Sequence, residues 1–401
     1  MRGQQVVLKV AGVVFMTVLS LQSAEFRLPG GRATAMGGAG VAGAGGAWST
    51  YYNPAALAET VRIHTRAGAG LHLYAREQDL IIQADRLADY DWDDITDNPL
   101  GNAADATAVA DILRDVPDDA GLMIGGGGGF FGQIGTFGAG VLVDAQIAMK
   151  PTIDRVRLNI SSPTDPNSIA NNDSEVRVLG LVLSEVPLAY GHRLETDFGM
   201  VDVGGAVKFI KAITYDGTVS VTDTDNDDLE DELETYDEDD GGFGVDLGVL
   251  YHAPTLPLRL GLLARNINSP SFDTWDGGSI KEKMQLRAGA EVELVEEWLV
   301  LAADYDVTEN ETLFPGYKSR MGGIGIAMEG YPGIFAGSLR LGLMKNLAES
   351  DSSVVYTAGL GFGLKWFNVT LSGAVSGDET TYDGDSFPTE SYVSLALDSA
   401  W

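Results

Sequence analysis

The chain contains no cysteine, which excludes a disulfide framework, thiolate metal sites and a lipid-modified N-terminal cysteine. Basic residues are scarce: 26 Lys and Arg stand against 58 Asp and Glu, a formal net charge of -32. That balance argues against nucleic acid as a partner, because such binding is driven by Lys and Arg on phosphates. It suits a solvated, self-repelling surface instead. The four histidines, His64, His72, His192 and His252, have no motif around them. Long apolar runs are also missing, for nothing after the N-terminus approaches the ~20 residues of a spanning helix. What the chain has in excess is glycine, 51 residues in 401, the mark of tight turns and close backbone packing.

Residues 1–24 read as an export signal. Arg2 and Lys9 carry positive charge, Val10 to Leu21 is apolar, and Ser23-Ala24 offers small residues at a cut site, although Gln22 fits that site poorly. The alternative is an N-terminal membrane anchor, for which the apolar run is too short.

Period-2 alternation then persists along the chain. Leu299, Leu301, Ala303, Tyr305 and Val307 share one face, opposite Asp304 and Asp306. Val201, Val203, Val207, Phe209, Ile213 and Tyr215 oppose Asp202, Gly204, Ala206 and Lys208. The spacing predicts fourteen strands, near 62–74, 121–131, 135–149, 175–187, 198–215, 241–252, 258–268, 283–294, 298–307, 319–329, 334–346, 354–365, 368–377 and 391–401. Alternation alone fits a soluble β-sandwich equally well. Connection length separates the two, because long polar connections such as Ser161 to Ser174 and Gly217 to Asp240 alternate with short ones such as Gly132 to Ile134. Ala189 to Asp197 is the connection that strains the pattern. Long loops at one end and short turns at the other are what an outer-membrane barrel requires. The fold class expected is therefore all-β, a 14-stranded antiparallel transmembrane β-barrel over 61–401. Its C-terminal strand sets Val393, Leu395, Leu397 and Trp401 on one face. That pattern resembles the signal read by the bacterial barrel assembly machinery; an ordinary edge strand ending in Trp is the plainer reading.

Arg32 to Ala58 ("RATAMGGAGVAGAGGAWSTYYNPAALA") cannot form a core of its own. Met36 to Ala47 within it is almost wholly Gly and Ala, three aromatics follow, and Pro54 stops any continuous helix. The stretch resembles the N-terminal region of FadL-type outer-membrane transporters of long-chain fatty acids and other hydrophobic compounds, closest to a group labelled TraF-like conjugal-transfer proteins. With no cysteine, that label carries no thioredoxin-type chemistry. The resemblance implies that residues 25–60 form a hatch inside the barrel lumen. The hatch and substrate-contacting candidates are Trp48, Tyr51, Tyr52, Asn53, Pro54 and Ala55.

Two insertions stand out. The first connection, about 76–120, is very long, and Ala103 to Val116 has helical spacing ended by Pro117. It reads as a lid, or as a capture site in which Val109, Ile112 and Leu113 meet a greasy ligand. In the acidic connection 217–240, Asp223, Asp225, Asp227 and Glu234 fall at positions 1, 3, 5 and 12 of a calcium loop. Asp228 replaces the required glycine, so the competing reading is a solvated loop; weak Ca²⁺ binding is the remainder, and no other cofactor is implied. Gly38, Gly40 and Gly43 match a dinucleotide fingerprint without its strand and helix. No histidine follows Gly384-Asp385-Ser386-Phe387 to act as a base. No enzyme is expected.

The function expected is passive uptake of hydrophobic small molecules such as long-chain fatty acids or hydrocarbons, in the outer membrane of a Gram-negative cell with its lipid as surroundings. The alternative is a non-transporting structural or secretion- and conjugation-associated barrel that binds a protein partner. A continuous apolar path would favour the first, and a lumen sealed by ion pairs the second.

Overall fold

In the computed structural model, residues 21–22, 25–43, 45–59, 65–220, 238–273, 278–296, 298–382 and 385–400 are described. The fourteen barrel strands are β1 (Thr65–Gln78), β2 (Gly121–Ile134), β3 (Phe137–Thr152), β4 (Glu175–Thr196), β5 (Gly199–Ser220), β6 (Glu238–His252) and β7 (Leu258–Arg265), followed by β8 (Gln285–Val295), β9 (Leu299–Asp306), β10 (Met321–Gly330), β11 (Phe335–Asn346), β12 (Val354–Leu364), β13 (Phe367–Ser376) and β14 (Glu390–Ala400). Each pairs antiparallel with its sequence neighbours, and β1 pairs with β14 to close the barrel. Closure leaves no sheet edge, which a strand wall needs wherever lipid offers no hydrogen bonds.

The alternation sorts the side chains. Leu71, Leu73, Phe130, Phe209, Leu360 and Val393 point outward and are more than half exposed, while their neighbours His72, Phe131, Ile210 and Ser394 are buried inside. An apolar exterior of this extent is a lipid-facing surface, since each such side chain left in water forgoes about 1.5–3 kcal/mol of burial. Tyr305 and Val307 are exposed outside, and Asp304 and Asp306 are buried inside, so the register read from alternation holds.

One connection differs from expectation. In place of a loop over 189–197, β4 continues to Thr196 and β5 starts at Gly199, leaving a two-residue turn closed by the Thr196 hydroxyl donating to the Gly199 carbonyl at 2.6 Å. Polar residues there suggested a loop because these two strands run on past the apolar belt. Their register is unbroken along its length.

At the long-loop end the first connection holds helices Leu80–Ala88, Trp92–Asp97 and Ala103–Asp115. Trp92, Ile95, Val109, Leu113, Leu158 and Ile169 bury one another in a satellite core. A second apolar cluster fills the barrel mouth, where Phe272, Ile280, Leu313, Phe314 and Tyr317 from the connections meet Met123, Leu179, Leu181 and Leu183 of the wall.

Candidate functional site

Residues 25–43 and 45–59 lie inside the barrel, and an unusual feature of the wall makes room for them. From β4 to β12 every strand except β9 presents an inward glycine to the segment: Gly191, Gly204, Gly248, Gly261, Gly289, Gly325, Gly342 and Gly359. A Cβ on Gly325 would stand 2.5 Å from the Met36 Cα, and one on Gly261 2.8 Å from the Val41 carbonyl oxygen. Only glycine admits backbone so close to backbone. The segment follows this belt around the lumen, from Gly31 beside β13 to Ala58 beside β4.

An irregular backbone buried in this way must have its polar groups satisfied. Wall side chains do so. Asp304 accepts the N–H groups of Gly40 and Val41 at 2.8 and 3.0 Å. Thr357 accepts from the Gly37 N–H and donates to the Ala35 carbonyl, and Ser372 donates to the Gly31 carbonyl. Asn53, completely buried, donates to the Val41 and Val249 carbonyls and caps the turn after it by accepting from the Ala55 N–H. The helix Ser49–Tyr52 ends there, and Pro54 opens the 3₁₀ turn Pro54–Ala58.

Trp48, Tyr51, Tyr52, Asn53, Pro54 and Ala55 are all buried within the barrel. Trp48 packs on Phe131 and donates to Asp398 at 2.6 Å. The Tyr51 and Tyr52 hydroxyls donate to the Arg27 and Pro29 carbonyls, and burial pushes the Tyr51 phenol up to about 12. Asp223, Asp225, Asp227 and Glu234 lie outside the described residues, as does Trp401. Val109 and Leu113 are covered by the satellite core and Ile112 is buried, which fits the lid reading of this insertion and not an open capture surface.

Charges surround the start of the segment. Arg27 pairs with Asp144 at 2.8 Å and Glu282 at 3.6 Å, and His72 reaches the same Asp144 at 2.8 Å. Arg265 and Lys208 pair with Glu185, and Lys208 also with Asp246. Phe26 is held between two guanidinium groups, 4.4 Å from Arg287 and 5.4 Å from Arg265. Burial disfavours the Arg27 charge, but Asp144, Glu282 and Glu185 outweigh it, and the guanidinium holds its proton more tightly than usual. Nearer the short turns, Asp202 accepts from Arg193 through both oxygens and contacts His252 at 2.8 Å, with Glu59 3.9 Å from the same ring nitrogen. Sequence reasoning missed all three histidine and glycine features, since partners come from different strands. The one available signal was a glycine recurring mid-strand on the polar face.

Space is distributed unevenly. On the long-loop side of the segment a cavity of about 40 Å³ touches Phe26, Leu28, Tyr74, Met321, Met344 and Tyr392. It is well short of the ~150 Å³ that holds benzene in an apolar protein cavity. Toward the short turns the lumen opens into a chamber of about 820 Å³ beside Glu59, His252, Arg259 and Glu291. The wall itself has one lapse. Ladder pairs run from Phe137↔Tyr190 to Ala139↔Leu188 and resume at Leu142↔Glu185, skipping Gly140 and Val141 opposite Pro187 and Val186. Pro187 has no N–H to donate, which is why proline is rare inside sheets. Outside this region lies an apolar groove of about 890 Å³ lined by Phe130, Ile134, Phe137, Leu188, Tyr190 and Leu247. Inside, the helix Ser49–Tyr52 packs on the same two strands.

Residues 50–306 match the family model described as "F plasmid transfer operon, TraF, protein". The chain belongs to that TraF family. No curated protein sequence matches it. Among solved structures it is similar to the toluene transporter TodX of P. putida, at 12% identity, with a TM-score of 0.53 over 94% of this chain and 99% of that one. The CymD monoaromatic hydrocarbon channel gives 13% identity and a TM-score of 0.51 over the same shares. At these identities the likeness is one of fold, and the TraF family member shares the closed barrel of these channels.

Proposed function

We propose that the protein is an outer-membrane channel for passive uptake of hydrophobic small molecules, hydrocarbons or long-chain fatty acids, with residues 25–60 as its hatch. The observation that carries this is the coincidence of three features: an apolar mouth, a segment threaded through the lumen, and a wall lapse at Pro187 between the two strands on which the helix Ser49–Tyr52 packs. Ligand would have to part the buried mouth cluster around Phe272, Phe314 and Leu181 to reach the hatch. A shift of the helix Ser49–Tyr52 and of Phe131, which lies against Gly140, would open a way through the lapse into the apolar groove outside, or on to the chamber by the short turns. The β14 strand, with Trp401 after it, would serve the assembly machinery.

A second reading has its own support. The ion pairs around Arg27 and Arg287 lie across the lumen beside the segment, as a fixed plug in a structural or conjugation-associated barrel would require. Two variants separate the readings. Pro54→Ala restores a backbone donor and lets the Ser49–Tyr52 helix extend, so uptake of a hydrocarbon such as toluene by outer-membrane vesicles should fall while the barrel stays folded. Deleting Gly30 to Ala58 should give an open pore that leaks polar solutes. Leakage on deletion with no protein-dependent toluene uptake in the intact protein would leave the fixed plug standing.

A further inference from the structure

We infer that the molecule selects by charge, admitting uncharged hydrophobic solutes and turning away organic anions, fatty-acid carboxylates included. This rests on the channel reading and narrows its substrate class.

The charge of the chain is placed at one end. The seven connections at the long-loop end hold 35 Asp and Glu against 8 Lys and Arg. The six short turns at the other end hold 3 against 1. The connection 79–120 alone carries 12 Asp and 2 Arg, and Asp89, Asp93, Asp97 and Asp119 on it are exposed. A solute entering by this end therefore crosses nearly all of the protein's negative field. Fields of this kind raise or lower local ion concentration by about 10-fold or more at a mouth with low-dielectric walls, and act over ~8 Å at physiological salt.

The buried cations of the lumen are already engaged. Among the described residues six Lys and Arg are buried, and each is already ion-paired: Arg27, Arg76, Lys208, Arg265, Arg287 and Arg340. Buried carboxylates among the described residues number eleven. Lys150, half-buried near the mouth, donates to the Pro315 carbonyl at 2.9 Å and lies over the Phe314 ring. Placing a carboxylate on one of these buried cations means breaking an existing pair, which leaves another charge unpaired in a desolvated site. An alcohol or hydrocarbon of the same chain length meets neither obstacle.

The test compares decanol with decanoate, matched in chain length, entering outer-membrane vesicles with and without the full chain, in 0.02 M and 0.5 M salt. The protein-dependent rate should favour decanol by about 10-fold or more at low salt, and the ratio should shrink several-fold at high salt, where the screening length falls to ~4 Å. A variant carrying Asp89→Lys, Asp97→Lys, Asp119→Lys and Glu379→Lys, exposed residues outside the lumen, should shrink it at low salt too. Its folding is checked by the heat-dependent mobility of the barrel. Equal entry of the two probes at low salt overturns the inference while keeping the channel. A preference indifferent to both salt and charge reversal overturns the acidic end as its source. No protein-dependent entry of either probe overturns the channel reading itself, and this inference with it.

Discussion

The Asp304 carboxylate accepts the backbone N–H of Gly40 at 2.8 Å, joining the middle of strand β9 to the middle of the luminal segment. The same carboxylate lies 3.3 Å from Arg287, which also pairs with Asp306. Asp304→Ala would strip two segment N–H groups of their acceptor and remove one of the two carboxylates Arg287 pairs with. Breaking a buried pair costs about 3–5 kcal/mol, enough here to loosen the segment without unfolding a barrel of fourteen strands. Ion conductance across planar bilayers should rise, and residues 25–59 should become sensitive to protease. Conductance equal to that of the unaltered protein would show that Asp304 does not hold the segment in place.

The glycine belt makes a paired prediction. Gly325→Val would drive a side chain into Met36, whereas a Cβ on Gly337 meets nothing within 4 Å. Overpacking costs about 1–3 kcal/mol, so the melting temperature should drop, or the segment leave the lumen, for Gly325→Val only. Gly337→Val is the control for placing a β-branched residue in a strand. Equal behaviour of the two would refute close packing at the belt.

Alkaline pH should act through Tyr51. Its folded-state value, about 12, lies above the ordinary phenol value of 10.0. A group whose folded pKa is raised contributes stability that is complete below the unfolded pKa and is lost as pH rises through the folded one. The window is therefore pH 10 to 12, and the loss is on the order of 2–3 kcal/mol. Denaturant midpoints should fall across that window less steeply for Tyr51→Phe, which cannot ionise. Parallel curves for the two proteins would assign the alkaline loss to other groups.

Pro187 carries the prediction about the wall. Pro187→Val restores a backbone donor opposite Gly140, and the β3–β4 ladder should close. If hydrophobic solutes leave sideways, vesicle uptake of toluene should fall several-fold, with no change in leakage of polar solutes. Undiminished uptake would direct the path to the chamber beside Glu59 and His252 instead.

Period and the lengths of the connections were enough for the barrel. Strand alternation is local, because successive side chains point to opposite faces whatever the strand pairs with. Leu299 and Asp304 thus announce their faces without knowledge of β8 or β10, and the contrast of long and short connections gives the count of fourteen. The break at Asn53-Pro54 is equally local, since proline restricts its own backbone and its neighbour's. Other features depend on which strands come together, and there the sequence is silent. Nothing adjacent to Gly325 says that Met36 will lie against it, and nothing near His72 says that Asp144 and Arg27 will meet there. Val109 and Leu113 show the limit from the other side: helical spacing correctly marks an apolar face, but only the tertiary structure decides that Trp92, Leu158 and Ile169 cover it. The distinction is physical. Periodicity and backbone restriction are properties of neighbouring residues, while a glycine clearance, an ion pair or a covered face belongs to residues brought together by closure of the barrel.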